Sequence, residues 1–122
     1  MKYVLMYTSR PDLDAEVSTE DAETIYKQVY EWFMANGEKF ADSGAELHPV
    51  TTATTVKSGD GGPVVVDGPF NEAKEIIGGF SLIDVPDMDA AIAMVKTWPR
   101  LSLPGVAIEI RPMVEDYSQF DE

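Results

Sequence analysis

The stretch 67-DGPFNEAKE-75 puts three carboxylates and one ammonium, those of Asp67, Glu72, Glu75 and Lys74, within nine residues. Crowded carboxylates cannot all ionise freely, so at least one is pushed toward a pKa useful for proton transfer. Asp67 is the leading candidate for a catalytic acid or base. Gly68 can take positive φ and Pro69 fixes φ at about −65°, which together limit where the preceding side chain points. The same Asp-Gly-Pro run also suits a plain turn, with the aspartate accepting backbone N–H bonds. His48 is the single histidine, hence the one side chain with an unperturbed pKa near neutrality. It is a second catalytic candidate or, at a strand start before Pro49, an interface or structural side chain. Glu72, Lys74 and Glu75 are either substrate contacts or a solvated charged loop. Arg111 can anchor a substrate carboxylate through its planar fork or pair with the acidic loop.

Other chemistries lack their residues. The chain has no cysteine, which removes thiolate nucleophiles, thiolate metal sites and disulfides. One histidine with scattered carboxylates lacks metal-ligand spacing, so neither a metal nor another cofactor is expected. The run 58-SGDGG-62 has no phosphate-loop lysine and reads as a hairpin turn. With 22 acidic against 9 basic side chains the net charge is −13, a field that repels nucleic acid and anionic membranes alike. The apolar run 3-YVLMY-7 is too short for a signal-peptide core or a membrane span. A cytoplasmic protein is expected.

The positioning elements follow from periodicity. Residues 2-KYVLMYT-8 read as a buried opening strand ending at 9-SRPD-12. Ser18 can cap a helix with Glu20, Asp21 and Glu23 in its first turns, where the dipole favours negative charge. Ala22, Ile25, Tyr26, Val29 and Phe33 recur at helical spacing as its buried face, and Gly37 or Gly44 can end it. The run 47-LHPVTTATTVK-57 and 63-PVVVD-67 read as a β-hairpin, and 76-IIGGFSLIDV-85 as a further strand. Asp87 can cap a second helix with an Ala91, Ile92, Val95 and Trp98 stripe, which Pro99 stops. A last strand, 106-VAIEIRPM-113, alternates apolar and polar residues. Trp32, Phe80 and Trp98 read as core or interface.

The order is β-α-β-β-β-α-β: one α+β domain over 1–122, a ferredoxin-like split βαβ with an added hairpin strand, its helices covering one face of a mostly antiparallel sheet. No third amphipathic helix exists to cover the other face, so a second copy of the chain is the simplest cover and a homodimer is expected.

The residues 53-ATTV-56, 67-DGPFNEAKE-75, 78-GGF-80, 83-IDVPDMDAA-91 and 109-EIRP-112 resemble those of the DGPF family within the YCII-related superfamily, across essentially the whole chain. The resemblance implies a dimeric ferredoxin-like α+β barrel assembly. It also implies kinship with proteins in which a His/Asp acid–base site and a few lyase-type reactions on small molecules are known. The histidine of that site belongs at the start of the first helix, and none stands between Ser18 and Tyr26. Two functions follow as expectations. One is a small-molecule enzyme or binder using Asp67 and His48, with Glu72, Lys74, Glu75 and Arg111 around a pocket. The other is a non-catalytic dimer serving regulation or protein interaction.

Overall fold

Alternation along the first strand organises the molecule. In β1 (Lys2–Ser9), Tyr3, Leu5 and Tyr7 face one way and Val4 and Met6 the other, as the period of two requires. The computed structural model describes residues 1–10, 18–68 and 75–120. Six strands and two α-helices occur among them: β1, α1 (Thr19–Ala35), β2 (Phe40–Glu46), β3 (Thr54–Lys57), β4 (Val64–Asp67), β5 (Ile76–Asp84), α2 (Met88–Val95) and β6 (Ala107–Pro112). Strands β2-β5-β1-β6 form an antiparallel sheet in that order. With the β3–β4 hairpin set aside, this is the ferredoxin-like βαββαβ arrangement.

Both helices pack on the Tyr3 face. Tyr3, Leu5, Ile83, Val85, Trp32, Ala91, Met94, Val95 and Trp98 form the buried core, joined at its edge by Tyr7, Val29, Phe33, Phe40, Ile108 and Ile110. Helix α1 starts where Ser18 Oγ accepts the Asp21 N–H at 3.1 Å, and α2 where Asp87 accepts the Ala90 N–H at 2.9 Å. Each cap satisfies a backbone donor that the helix itself leaves unpaired. No helix among the described residues is long and apolar enough to cross a membrane.

Four expectations are settled or corrected. Helix α1 ends at Asn36, whose N–H and side chain both bond to the Trp32 carbonyl, directly before Gly37 and well short of Gly44. Its buried residue is Trp32, while Tyr26 is 75% exposed, so only the C-terminal half of the helix presses on the sheet. In α2, Met94 is buried in place of Ile92. The fourth concerns the strands. The second strand of the main sheet is β2 at Phe40–Glu46, whereas 47–57 contributes only Thr54–Lys57, paired with β4 in a separate two-stranded sheet. The expected added strand is thus no part of the main sheet. Pro49 and the 3₁₀ turn at Val50–Thr52 break the threonine-rich run, and Pro49 has no N–H to give a ladder.

Strand β2 is irregular in a way that matters. Its register against β5 shifts between Phe40 and Asp42 and again between Asp42 and Ala45, the two-against-one count of a bulge. Gly44 sits in that bulge at φ 79°, where a Cβ would fall 1.8 Å from the Phe80 carbonyl oxygen. Only glycine fits this backbone approach. Its N–H is held by Asp42 Oδ1 at 2.7 Å.

Candidate functional site

The bulge brings the carbonyl of Ser43 to Ser81 on β5. Ser81 is fully buried, and its Oγ donates to the Ser43 carbonyl at 2.7 Å. Tyr7, one strand over, donates its phenolic hydrogen to Ser81 Oγ at 2.9 Å. Three strands are thereby stitched by one chain of hydroxyls, β1 to β5 to β2. Gly79, paired with Tyr7, lets β2 approach closely: a Cβ there would lie 2.9 Å from the Ala45 carbonyl oxygen.

The Tyr7 ring leans on Trp98, with centroids 4.8 Å apart, and lies 6.4 Å from Phe33. Trp32 joins the cluster 4.9 Å from Trp98 and donates its indole N–H to Thr97 Oγ1 at 2.8 Å. Edge-to-face and offset contacts of this kind lock ring orientation. Burial pushes the Tyr7 phenol above its ordinary 10.0, with the Ser81 hydrogen bond pulling the other way. Tyr7 is therefore a neutral phenol at neutral pH.

Above this floor lies a cavity of about 630 Å³ between the middle of α1 and one end of the sheet, within the range of small-molecule sites. Its roof is Tyr26, Val29, Tyr30 and Phe33. Its floor and far wall include Tyr7, Thr8, Ser9, Ser81 and the bulge Ser43–Leu47, and Trp98, Arg100 and Val106 close one side. Beside Tyr7 and Thr8 the register against β5 shifts, with Gly78 the extra residue on β5, and Gly78 also lines the hollow. Pro99 opens a short 3₁₀ turn beside the buried Trp98, which fixes where Arg100 leaves the chain. The Arg100 guanidinium forms no ion pair among the described residues.

The candidates drawn from sequence lie elsewhere. Asp67 ends β4 on the separate hairpin, is exposed and does not line this cavity. The following Gly68, at φ 110°, accepts a 2.5 Å bond from Thr55 Oγ1 and donates its N–H to Ala53. The backbone of the turn is thus fixed, while the Asp67 carboxylate has no hydrogen bond among the described residues. His48 is exposed beside the cavity residue Leu47 without itself lining the hollow. Glu75 is exposed just before β5. Arg111 pairs with Glu109 at 2.5 Å on the sheet face opposite the helices, both side chains well exposed. Such a pair contributes at most about 1 kcal/mol. Glu72 and Lys74 lie outside the described residues. The cavity residues escaped sequence reasoning because Tyr7, Phe33 and Trp98 read as core. The signals that pointed to them were the i, i+4 pair Tyr26–Tyr30 and 78-GGF-80.

Comparison with known proteins places the whole fold in context. The YCII-related domain matches residues 1–115. An uncharacterised protein of Rhizobium meliloti strain 1021 is 28% identical over 118 residues, covering 93% of this chain and 92% of its own. A solved structure of 5-chloro-2-hydroxyhydroquinone dehydrochlorinase from Burkholderia phenoliruptrix, bound to 2,5-dihydroxybenzoquinone, aligns with a TM-score of 0.48 at 14% identity. That alignment covers 89% of this chain and 91% of that one.

The Tyr7 phenol gives the pH behaviour a sign. Its folded pKa lies above the unfolded value, so the stability it contributes is complete below pH 10 and is lost as pH rises through the folded pKa. Absorbance titration at alkaline pH is expected to show a late tyrosine component, and Tyr7→Phe should remove it. Loss of an early component instead would show that Tyr7 is not shielded.

Proposed function

The chain belongs to the YCII-related family, and we propose that this member works by holding a small molecule in the cavity beneath α1. The observation that carries the proposal is an apolar, aromatic hollow with a buried polar chain built into its floor. Tyr26 and Tyr30 are 75% and 63% exposed on its roof, a large apolar surface left uncovered in the free protein. A planar ligand covering about 100 Å² of that surface gains about 2.5 kcal/mol from apolar burial. The neutral Tyr7 phenol cannot itself take a proton from a substrate, so its part in the cavity is that of a hydrogen-bonding group. Acid–base chemistry by Asp67 and His48, with Glu72, Lys74, Glu75 and Arg111 as substrate contacts, is supported by their residue types and spacing, and none of the described four lines the cavity. Membership of the DGPF subgroup is likewise proposed on the residues of 67–75 and 78–80.

A fragment screen by protein-observed NMR tests the site. Hits are expected to move the Trp98 indole signal and to bind about tenfold more weakly to a Tyr26→Ala/Tyr30→Ala variant, whose changes sit on exposed positions. Hits that map to the hairpin around Asp67 and ignore the double variant would sink the cavity reading and favour an Asp67 site.

We also propose a homodimer. Val4, Met6 and Leu82 are half-buried and Phe80 is 39% exposed on the sheet face that no helix covers, an apolar patch suited to self-association. A non-catalytic regulatory or interaction role, the alternative to small-molecule work, would use the same dimer. Light scattering at micromolar concentration should give twice the chain mass, and Met6→Glu should give the monomer. A stable wild-type monomer would end this proposal.

A further inference from the structure

Hydrogen-bond direction in the cavity floor restricts what the ligand can be. A carbonyl oxygen only accepts, so the Ser43–Ser81 contact at 2.7 Å uses the single hydrogen of Ser81. Ser81 Oγ then meets Tyr7 as an acceptor, and the 2.9 Å bond between them uses the single hydrogen of Tyr7. Reversing the chain would leave the lone pairs of Ser81 Oγ and the Ser43 carbonyl facing each other 2.7 Å apart with no hydrogen between them. The Tyr7 oxygen therefore retains only acceptor capacity for anything that enters. Thr8, also on the floor, has its hydroxyl hydrogen directed to the Ala107 carbonyl at 3.2 Å, and the Glu46 carboxylate at the rim accepts as well. Arg100 is the one cationic side chain among the described lining residues, and its planar fork matches a carboxylate.

Resting on the cavity reading above, we propose that the ligand is an aromatic carboxylic acid bearing a hydroxyl or amino group. The ring lies among Tyr26, Tyr30 and Trp98, the carboxylate meets Arg100, and the ligand's O–H or N–H donates to the Tyr7 oxygen. An ether or a ketone in place of that donor meets lone pairs with lone pairs and is rejected. The class is set by the direction of two hydrogen bonds together with one cation, features that aromatic walls alone would not impose.

The probes are 4-hydroxybenzoate, 4-aminobenzoate, 4-methoxybenzoate, phenol and indole, with affinities measured by NMR titration of the Trp98 indole signal. The hydroxy and amino acids should bind about tenfold tighter than the methoxy acid, the factor expected of one net hydrogen bond. Tyr7→Phe should abolish that preference. Arg100→Gln should weaken all three acids about tenfold and leave phenol unchanged. Ser81→Ala releases the Tyr7 hydrogen toward the cavity, so the methoxy acid should gain relative to the hydroxy acid, a change of preference that mere loosening of the fold would not produce. Equal binding of hydroxy and methoxy acids, a preference that survives Tyr7→Phe, or indifference to Arg100→Gln would each overturn the ligand class. If indole or phenol alone bound at Trp98, the cavity reading would stand and only the class would fall. Silence of Trp98 toward all five probes and toward the fragment screen would overturn both.

Discussion

A fully buried serine hydroxyl is the point on which the sheet and the cavity both depend. Ser81 is fully buried, so its hydrogen-bonding capacity has to be met by protein. It is met on one side by Tyr7 and on the other by the Ser43 carbonyl. The second bond requires β2 to bulge, the bulge requires positive φ at Gly44, and the close approach of Gly44 to Phe80 excludes any side chain there. A local demand for hydrogen-bond partners thus explains the irregular edge strand, the glycine in its bulge and the orientation of the tyrosine at the cavity floor.

The same geometry explains why a hollow exists at all. Helix α1 is held to the sheet by Val29, Trp32 and Phe33, with Trp32 in aromatic contact with Phe40 and Trp98. On the same stretch of the helix Tyr26 and Tyr30 stay largely exposed. The sheet end beneath them offers Tyr7, Thr8, Ser9 and the glycine-containing bulge, whose small side chains leave the space unfilled. Val29 and Phe33 both pack on the core and line the hollow, so the packing that fixes the helix also holds the hollow's aromatic wall in place.

How much of this could be read from sequence follows from how local each feature is. Strand β1, the caps at Ser18 and Asp87, and the alternation of Val106, Ile108 and Ile110 depend on neighbouring residues, and all were legible. Strand β2 was not, because 40-FADSGAE-46 holds one strong β-former and is shaped by its bulge against β5. The run at 47–57 carries β propensity that Pro49 interrupts. The cavity was the least legible part. Its lining comes from β1, α1, β2, β5 and the turn after α2, and its residues are tyrosines and serines that in a linear reading look like core or surface. The charged residues around Asp67 were legible because they are contiguous in the chain. That the chain resembles YCII-related proteins was legible from its motifs, and the match over residues 1–115 agrees.

The account's central claim is that the floor of the cavity is an acceptor because the Tyr7 and Ser81 hydrogens both run toward Ser43. Neutron diffraction from deuterium-exchanged crystals grown near pH 7 sees those hydrogens directly. The account predicts deuterium on the Tyr7 oxygen pointing to Ser81 Oγ, and deuterium on Ser81 pointing to the Ser43 carbonyl. Deuterium on Ser81 directed at Tyr7, with the Tyr7 hydroxyl turned into the cavity as a donor, would contradict it.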